Sequence, residues 1–254
     1  MPTATKGSFV WYELMPRDVP AAISFYSGVV GWKTQPFGDG GYQMWVGSQG
    51  PLGGVMKLPE EAARAGAPPH WMAHVLVDDV DATAAHAAER GGRVCHPPTD
   101  IPTVGRFSVL GDPQGATLSV FKPTGAMELH DPARDGEFCW NELLTSDSAA
   151  AFRFYSELLG WKVLEDMDMG PMGTYRIYGV GDRRLGGMMT IPKDTPMPVA
   201  WLHYVSTSDL DGAVARATKR GAKVMNSMDV PGGRIAQLLD PQGAAFALHQ
   251  AAKK

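Results

Sequence analysis

Two glutamates in matching surroundings carry the most direct chemical signal in this sequence. Glu13 lies in Trp11-Tyr12-Glu13-Leu14, and Glu142 lies in Trp140-Asn141-Glu142-Leu143, 129 residues later. A carboxylate walled by tryptophan is shielded from water, which raises its pKa and suits it to general acid or base work. His74 offers a proton partner in the first half, where the second half carries Tyr204. A structural reading competes: each glutamate is pinned by a hydrogen bond, or by an arginine such as Arg106 or Arg234, and holds a sheet together. Because Glu is kept in both copies while the histidine is not, the structural reading leads for Glu142, and for Glu13 both stand.

Aromatic side chains form the second candidate set. Trp11, Tyr42, Trp45 and Trp71, with Trp140, Tyr175, Tyr178 and Trp201, could stack a planar organic ligand or simply fill a core. Methionine is abundant at 14 residues, which suits an adaptable apolar lining as well as a soft core. His70, His86, His96 and His130 show no paired spacing and read as surface residues. Arg106 and Arg234 each follow a glycine and read as structural ion pairs. Gly38-Asp39-Gly40-Gly41 lacks the strand-to-helix context of a phosphate loop and reads as a turn.

The elements that must position these residues follow from a duplication. Asp18, Phe25-Tyr26 and Gly31-Trp32 return as Asp147, Phe154-Tyr155 and Gly160-Trp161, again 129 residues on. The first repeat opens with an aromatic-rich strand over 9–15 and a helix capped by Asp18 and ended by Gly31. Strands over 32–36, 42–47 and 52–58 follow. A connector over 59–69 leads to a second unit of the same order: a strand over 71–77, a helix over 79–90, and strands over 93–97, 105–110 and 117–121. Its last hairpin carries Asp112-Pro113-Gln114-Gly115, suited to a type I turn, and Asp240-Pro241-Gln242-Gly243 repeats it. The plan is four βαβββ units in an α+β chain: a first domain over 1–122, a linker over 123–136 and a second domain over 137–254.

Formal net charge is -4 with both signs mixed throughout, so no electrostatic footprint for nucleic acid or an anionic membrane is present. No basic segment followed by an apolar run opens the chain, and no apolar stretch is long enough to span a bilayer. Cys95 and Cys139 occupy unrelated places in the repeats, which points to reduced thiols rather than a disulfide framework. A cytoplasmic protein with a small-molecule partner, monomeric or homodimeric, is expected.

The strand, Asp-capped helix with Phe-Tyr, Gly-Trp and later Asp-Pro-Gln-Gly hairpin resemble the vicinal oxygen chelate (VOC) superfamily. That superfamily includes glyoxalase I, bleomycin-resistance proteins and extradiol dioxygenases; within it the chain is similar to the tandem glyoxalase-like proteins often labelled hydroxylases. The resemblance covers nearly the whole chain and implies a tandem pair of glyoxalase-like domains whose curved sheets enclose clefts, commonly with a divalent metal. The positions at which the family carries its ligands are here Trp11, Met72 and Ser119 in the first domain, and Trp140, Leu202 and Ala247 in the second. None suits a hard or borderline divalent ion, so no cofactor is expected, and a metal would require a relocated site using Glu13 and His74, for which no third ligand is evident.

If Trp11 and Met72 face the cleft the resemblance implies, strand alternation adds Glu13, Met15, His74 and Leu76, with Ser119 flanked by Thr117 and Phe121. The second repeat adds Trp140, Glu142, Tyr204 and His249, and about half of the eight aromatics named above would line a cleft. The leading expectation is a binder of a small, aromatic or apolar molecule, contacting Trp11, Tyr42, Trp45, Met72, Ser119, Trp140, Glu142 and Tyr204. A metal-independent enzyme using Glu13 and His74 for proton transfer comes second, and a metal-dependent lyase or dioxygenase with a relocated site third.

Overall fold

Aspartate opens every long helix. Asp18, Asp79, Asp147 and Asp209 each accept the backbone N–H of the residue three further on, at 2.9 Å in all four, a contact whose loss costs about 1 kcal/mol. The computed structural model describes residues 2–38, 40–193 and 195–252. Module 1 contains β1 (Phe9–Met15), α1 (Val19–Val29), β2 (Lys33–Phe37), β3 (Tyr42–Gly47) and β4 (Gly50–Val55). After a short helix α2 (Glu60–Arg64), module 2 contains β5 (His70–Leu76), α3 (Val80–Glu89), β6 (Arg93–Ile101), β7 (Gly105–Gly111) and β8 (Thr117–Pro123). Module 3 contains β9 (Phe138–Thr145), α4 (Ser148–Leu159), β10 (Lys162–Asp168), β11 (Thr174–Val180) and β12 (Arg183–Thr190). Module 4 contains β13 (Ala200–Ser206), α5 (Leu210–Lys219), β14 (Lys223–Val230), β15 (Gly233–Leu239) and β16 (Ala245–Ala251). The four-unit α+β plan is therefore present. The expected turn at Gly38-Asp39-Gly40-Gly41 includes Asp39, which lies outside the described residues.

Within each module the strands run in the order β2-β3-β4-β1, or its equivalent, with the last strand parallel to the first and the others antiparallel. Alternation is clean on β1: Tyr12 and Leu14 are buried, while Trp11, Glu13 and Met15 are half-buried. No described helix is long and apolar enough to cross a membrane.

Compactness cuts across the sequence division at 122 and 137. One unit, called outer because it holds the first and last modules in the chain, comprises Trp11–Met72, His130–Cys139 and His203–Lys254; the inner unit comprises Met1–Val10, Ala73–Leu129 and Trp140–Leu202. Modules 1 and 4 thus pack together, as do modules 2 and 3. The repeated motifs explain this. In the outer unit, Tyr26 donates its hydroxyl to Asp240 at 3.1 Å and accepts from Trp71 Nε1 at 2.9 Å. Gln242 Oε1 accepts the backbone N–H groups of Arg17 and Asp18 at 3.0 and 2.8 Å, and its Nε2 donates to the Asp18 carbonyl at 2.8 Å. The inner unit repeats the scheme: Trp201 donates to Tyr155, Tyr155 to Asp112, and Gln114 to the Asp147 carbonyl. The indoles of Trp32 and Trp161 donate to the carbonyls of Gly136 and Gly7. Most of the conspicuous duplicated residues therefore join modules. Burial pushes Tyr26 and Tyr155 well above the ordinary tyrosine value, reinforced by the neighbouring aspartate, so both hydroxyls stay protonated donors.

Candidate functional site

Glu13 lies in register with Gly54 on β4, and Gly54 in turn with Met44 on β3. Directly opposed residues share a face, so Glu13 and Met44 share one, and by two-residue alternation Trp11, Met15 and Tyr42 join them. Because Gly54 has no side chain, Tyr42 can lie across the strand: a Cβ there would sit 1.8 Å from the Tyr42 oxygen. The tyrosine thereby accepts from Trp11 Nε1 at 2.9 Å and hydrogen-bonds through its hydroxyl to Glu13. Burial, then the Glu13 charge, push Tyr42 far above the ordinary tyrosine value, so it donates to the carboxylate throughout the physiological range.

The inner unit repeats this triad. Glu142 is in register with Gly187, and Gly187 with Ile177. Trp140 Nε1 donates to Tyr175 at 2.8 Å, and the Tyr175 hydroxyl donates to Glu142 Oε1 at 2.9 Å. A Cβ on Gly187 would meet Tyr175 Cζ at 2.1 Å. Tyr175 is raised by the same two causes as Tyr42. Glu142 is buried, whereas Glu13 is half-buried.

Sequence pattern reaches only part of each triad. It does not pair Tyr175 or the two glycines with the glutamates, although Leu52-Gly53-Gly54 and Leu185-Gly186-Gly187 are separated by 133 residues, the same offset as Tyr42 and Tyr175. The arginines expected to pin the glutamates are engaged elsewhere: Arg106 pairs with Asp81 and Asp100, and Arg234 with Asp211. Both are structural pairs, as their sequence context suggests. His130 is more than a surface residue, since its Nδ1 lies 2.8 Å from the buried Glu137 carboxylate.

The eight aromatics divide evenly. Trp11, Tyr42, Trp140 and Tyr175 are half-buried, while Trp45, Trp71, Tyr178 and Trp201 are buried. Trp45 is wholly buried against Tyr26, Trp32 and Trp71, because its position on β3 faces the core rather than the face of Glu13. Met72, Ser119 and Tyr204 are also buried. Ser119 donates to the Ser108 carbonyl at 3.2 Å, and Tyr204 accepts from Gln237 at 2.7 Å.

His74 lies in the inner unit, in register with Ser119 and beside the rings of Phe107 and Phe121. Glu13 lies in the outer unit. In module 4 the equivalent strands place Tyr204 opposite Ala247 and Ser206 opposite His249, with Cys139 Sγ 3.9 Å from His249 Nδ1. Burial pushes the Cys139 thiol up to about 12 and holds His249 below the ordinary imidazole value, so the pair is a neutral thiol beside a neutral imidazole rather than an activated nucleophile.

The positions where a VOC protein would hold a metal do not fit one. Trp11 and Trp140 direct their indole N–H groups to tyrosines, Ser119 is engaged with a carbonyl, and Met72, Leu202 and Ala247 offer no hard donor. Among the described residues no group of three or more His, Cys, Asp or Glu is arranged to hold a metal ion.

The family model for the Glyoxalase/Bleomycin resistance protein/Dioxygenase superfamily matches residues 8–120 and again 139–248. The protein CFP32 of Mycobacterium tuberculosis is 32% identical over 249 residues, covering 96% of this chain and 94% of that protein. The anthracycline biosynthesis protein DnrV of Streptomyces peucetius is 31% identical over 258 residues, covering 95% and 92%. Among solved structures, a Mn(II)-bound glyoxalase from Novosphingobium aromaticivorans superposes with a TM-score of 0.67 at 14% identity, covering 98% of this chain and 83% of that one. The 2,3-dioxygenase LapB from Pseudomonas sp. KL28 gives 0.62 at 12% identity, covering 97% and 92%. These two likenesses concern the fold, whereas the doubled family match and the full-length relatives fix the lineage. The chain belongs to the Glyoxalase/Bleomycin resistance protein/Dioxygenase superfamily, as a tandem of two such domains.

Proposed function

We propose that this protein binds a small aromatic or apolar organic molecule against the Trp-Tyr-Glu faces, without the metal triad usual in its superfamily. The observation that carries the reading is the duplicated triad: Trp11, Tyr42 and Glu13, and again Trp140, Tyr175 and Glu142, on half-exposed strand positions. Methionines 15, 44 and 56 border the first triad, each half-buried. Rigid aromatic walls with flexible thioether neighbours accommodate planar, polarisable ligands. The relative from Streptomyces peucetius, named for anthracycline biosynthesis, supports an aromatic ligand, since anthracyclines are built on fused rings.

The test is titration with anthraquinone followed by intrinsic tryptophan fluorescence, alongside elemental mass spectrometry of the untagged protein. Saturable quenching in the parent, weakened roughly tenfold or more in Trp11→Ala, is expected, because an aromatic anchor contributes at least about 1.4 kcal/mol. Absence of saturable quenching would refute the binding reading, and stoichiometric Mn, Fe, Ni or Zn would refute the metal-free one.

A further inference from the structure

The donor and acceptor inventory of the Glu13 face points to the kind of polar group its ligand carries. The indole N–H of Trp11 is directed to the Tyr42 oxygen at 2.9 Å, and the Tyr42 hydroxyl hydrogen is directed to Glu13. Both aromatic donors on this face are thus consumed within the triad. The neighbours that share the face, Met15 and Met44, supply only thioethers, and Gly54 supplies no side chain. A carboxylate accepts only, at about four lone-pair sites, of which Tyr42 takes one. The face therefore combines aromatic surface with acceptor capacity, and its own aromatic donors are spent.

We infer that the ligand of this face is an aromatic compound bearing a hydrogen-bond donor, best an ammonium group, and that aromatic carboxylates and other anions are disfavoured. The inference rests on the aromatic-binding reading above and narrows it. An ammonium over the Trp11 and Tyr42 rings gains from the ring quadrupoles as well as from the carboxylate. An anion meets like charge at Glu13 and no donor from the two rings. The inner triad is built the same way, with Trp140 donating to Tyr175 and Tyr175 to Glu142, but its carboxylate is buried, so the preference belongs first to the more open outer face.

Three anthraquinones of equal ring system separate the ideas: 2-(aminomethyl)anthraquinone, 2-methylanthraquinone and anthraquinone-2-carboxylate, titrated against the full chain by tryptophan fluorescence and calorimetry. The expected order of affinity is amine, methyl, carboxylate, with roughly 10- to 100-fold between amine and methyl. Glu13→Gln keeps an acceptor for Tyr42 and should collapse that gap while leaving the methyl compound's affinity within about threefold, since only the charge is removed. Glu142→Gln should leave the gap in place. If the carboxylate binds as tightly as the amine, or if Glu13→Gln leaves the gap unchanged, the donor inference is wrong while the aromatic-binding reading stands. If none of the three binds, the broader reading fails and the inference falls with it.

Discussion

Replacing Gly54 by alanine should destabilise the protein, and the sign of the effect should reverse when Tyr42 is absent. Gly54 is not among the residues with positive φ, so alanine meets no backbone objection. In an otherwise open strand the change would add roughly 0.4–1 kcal/mol of stability by restricting the unfolded chain. Here the new Cβ would lie 1.8 Å from the Tyr42 oxygen, 2.3 Å from Cζ and 3.0 Å from Cε1. The ring must swing away, and it then gives up the Trp11 bond and the bond to Glu13. A neutral hydrogen bond contributes about 0.5–1.5 kcal/mol and one to a charged group about 1.5–3. Water reaching this half-buried face recovers part of that sum, so the net loss should be roughly 1–3 kcal/mol. Thermal and urea unfolding, followed by circular dichroism and tryptophan emission, would measure it. In a Tyr42→Ala background the obstruction is gone, and Gly54→Ala should become neutral or stabilising. A harmless Gly54→Ala in the parent, or an equal loss in both backgrounds, would refute the claim that this glycine exists to admit the tyrosine. Gly187→Ala tests the same logic against Tyr175.

Tyr26→Phe should cost roughly 2–4 kcal/mol, because it strands the buried Trp71 N–H and removes a donor from Asp240; Tyr155→Phe should match it, and unchanged melting temperatures would count against the docking role of these tyrosines. Burial holds the Asp112 and Asp240 carboxyls above the ordinary aspartate value despite their backbone donors. The folded chain therefore keeps these protons to higher pH than the unfolded chain, so their stabilisation is complete below the unfolded value and is lost as pH rises through the raised folded value. Asp112→Asn and Asp240→Asn remove that decline: relative to the parent, their melting temperatures should improve as pH rises through that window, and a pH-independent difference would contradict the shift. Cys139, pushed up to about 12, should have only roughly 1 in 10,000 of its thiols ionised at pH 8. A native disulfide-exchange assay should therefore show rapid reaction at exposed Cys95, and rapid labelling that survives Cys95→Ser would overturn this.

Local periodicity and turn chemistry make much of the fold legible in the amino-acid sequence. The four Asp caps, the order of strands and helix in each module and the shared face of Trp11, Glu13 and Met15 are properties of a few adjacent residues. They follow from the geometry of a helix start and the two-residue period of a strand. Strand β6 runs four residues past its expected end, to Ile101 rather than Pro97; its outer position leaves prolines tolerable, since one side carries no partner within the module.

The sequence alone determined that the chain is a duplicated βαβββ protein, where its modules begin and end, and which superfamily its motifs resemble. Only the tertiary structure decided that module 1 packs with module 4 and module 2 with module 3, since that choice depends on Asp240 and Gln242 meeting Tyr26 and Asp18 across more than two hundred residues. It also decided that Trp45, Ser119 and Tyr204 are buried while Trp11 and Tyr42 remain half-exposed. Tyr42 reaches Glu13 because a glycine on the intervening strand leaves room for its ring. Residue type and periodicity describe one strand at a time; hydrogen bonds that cross strands depend on register and on the space left by a neighbour, and these exist only once the sheet has formed.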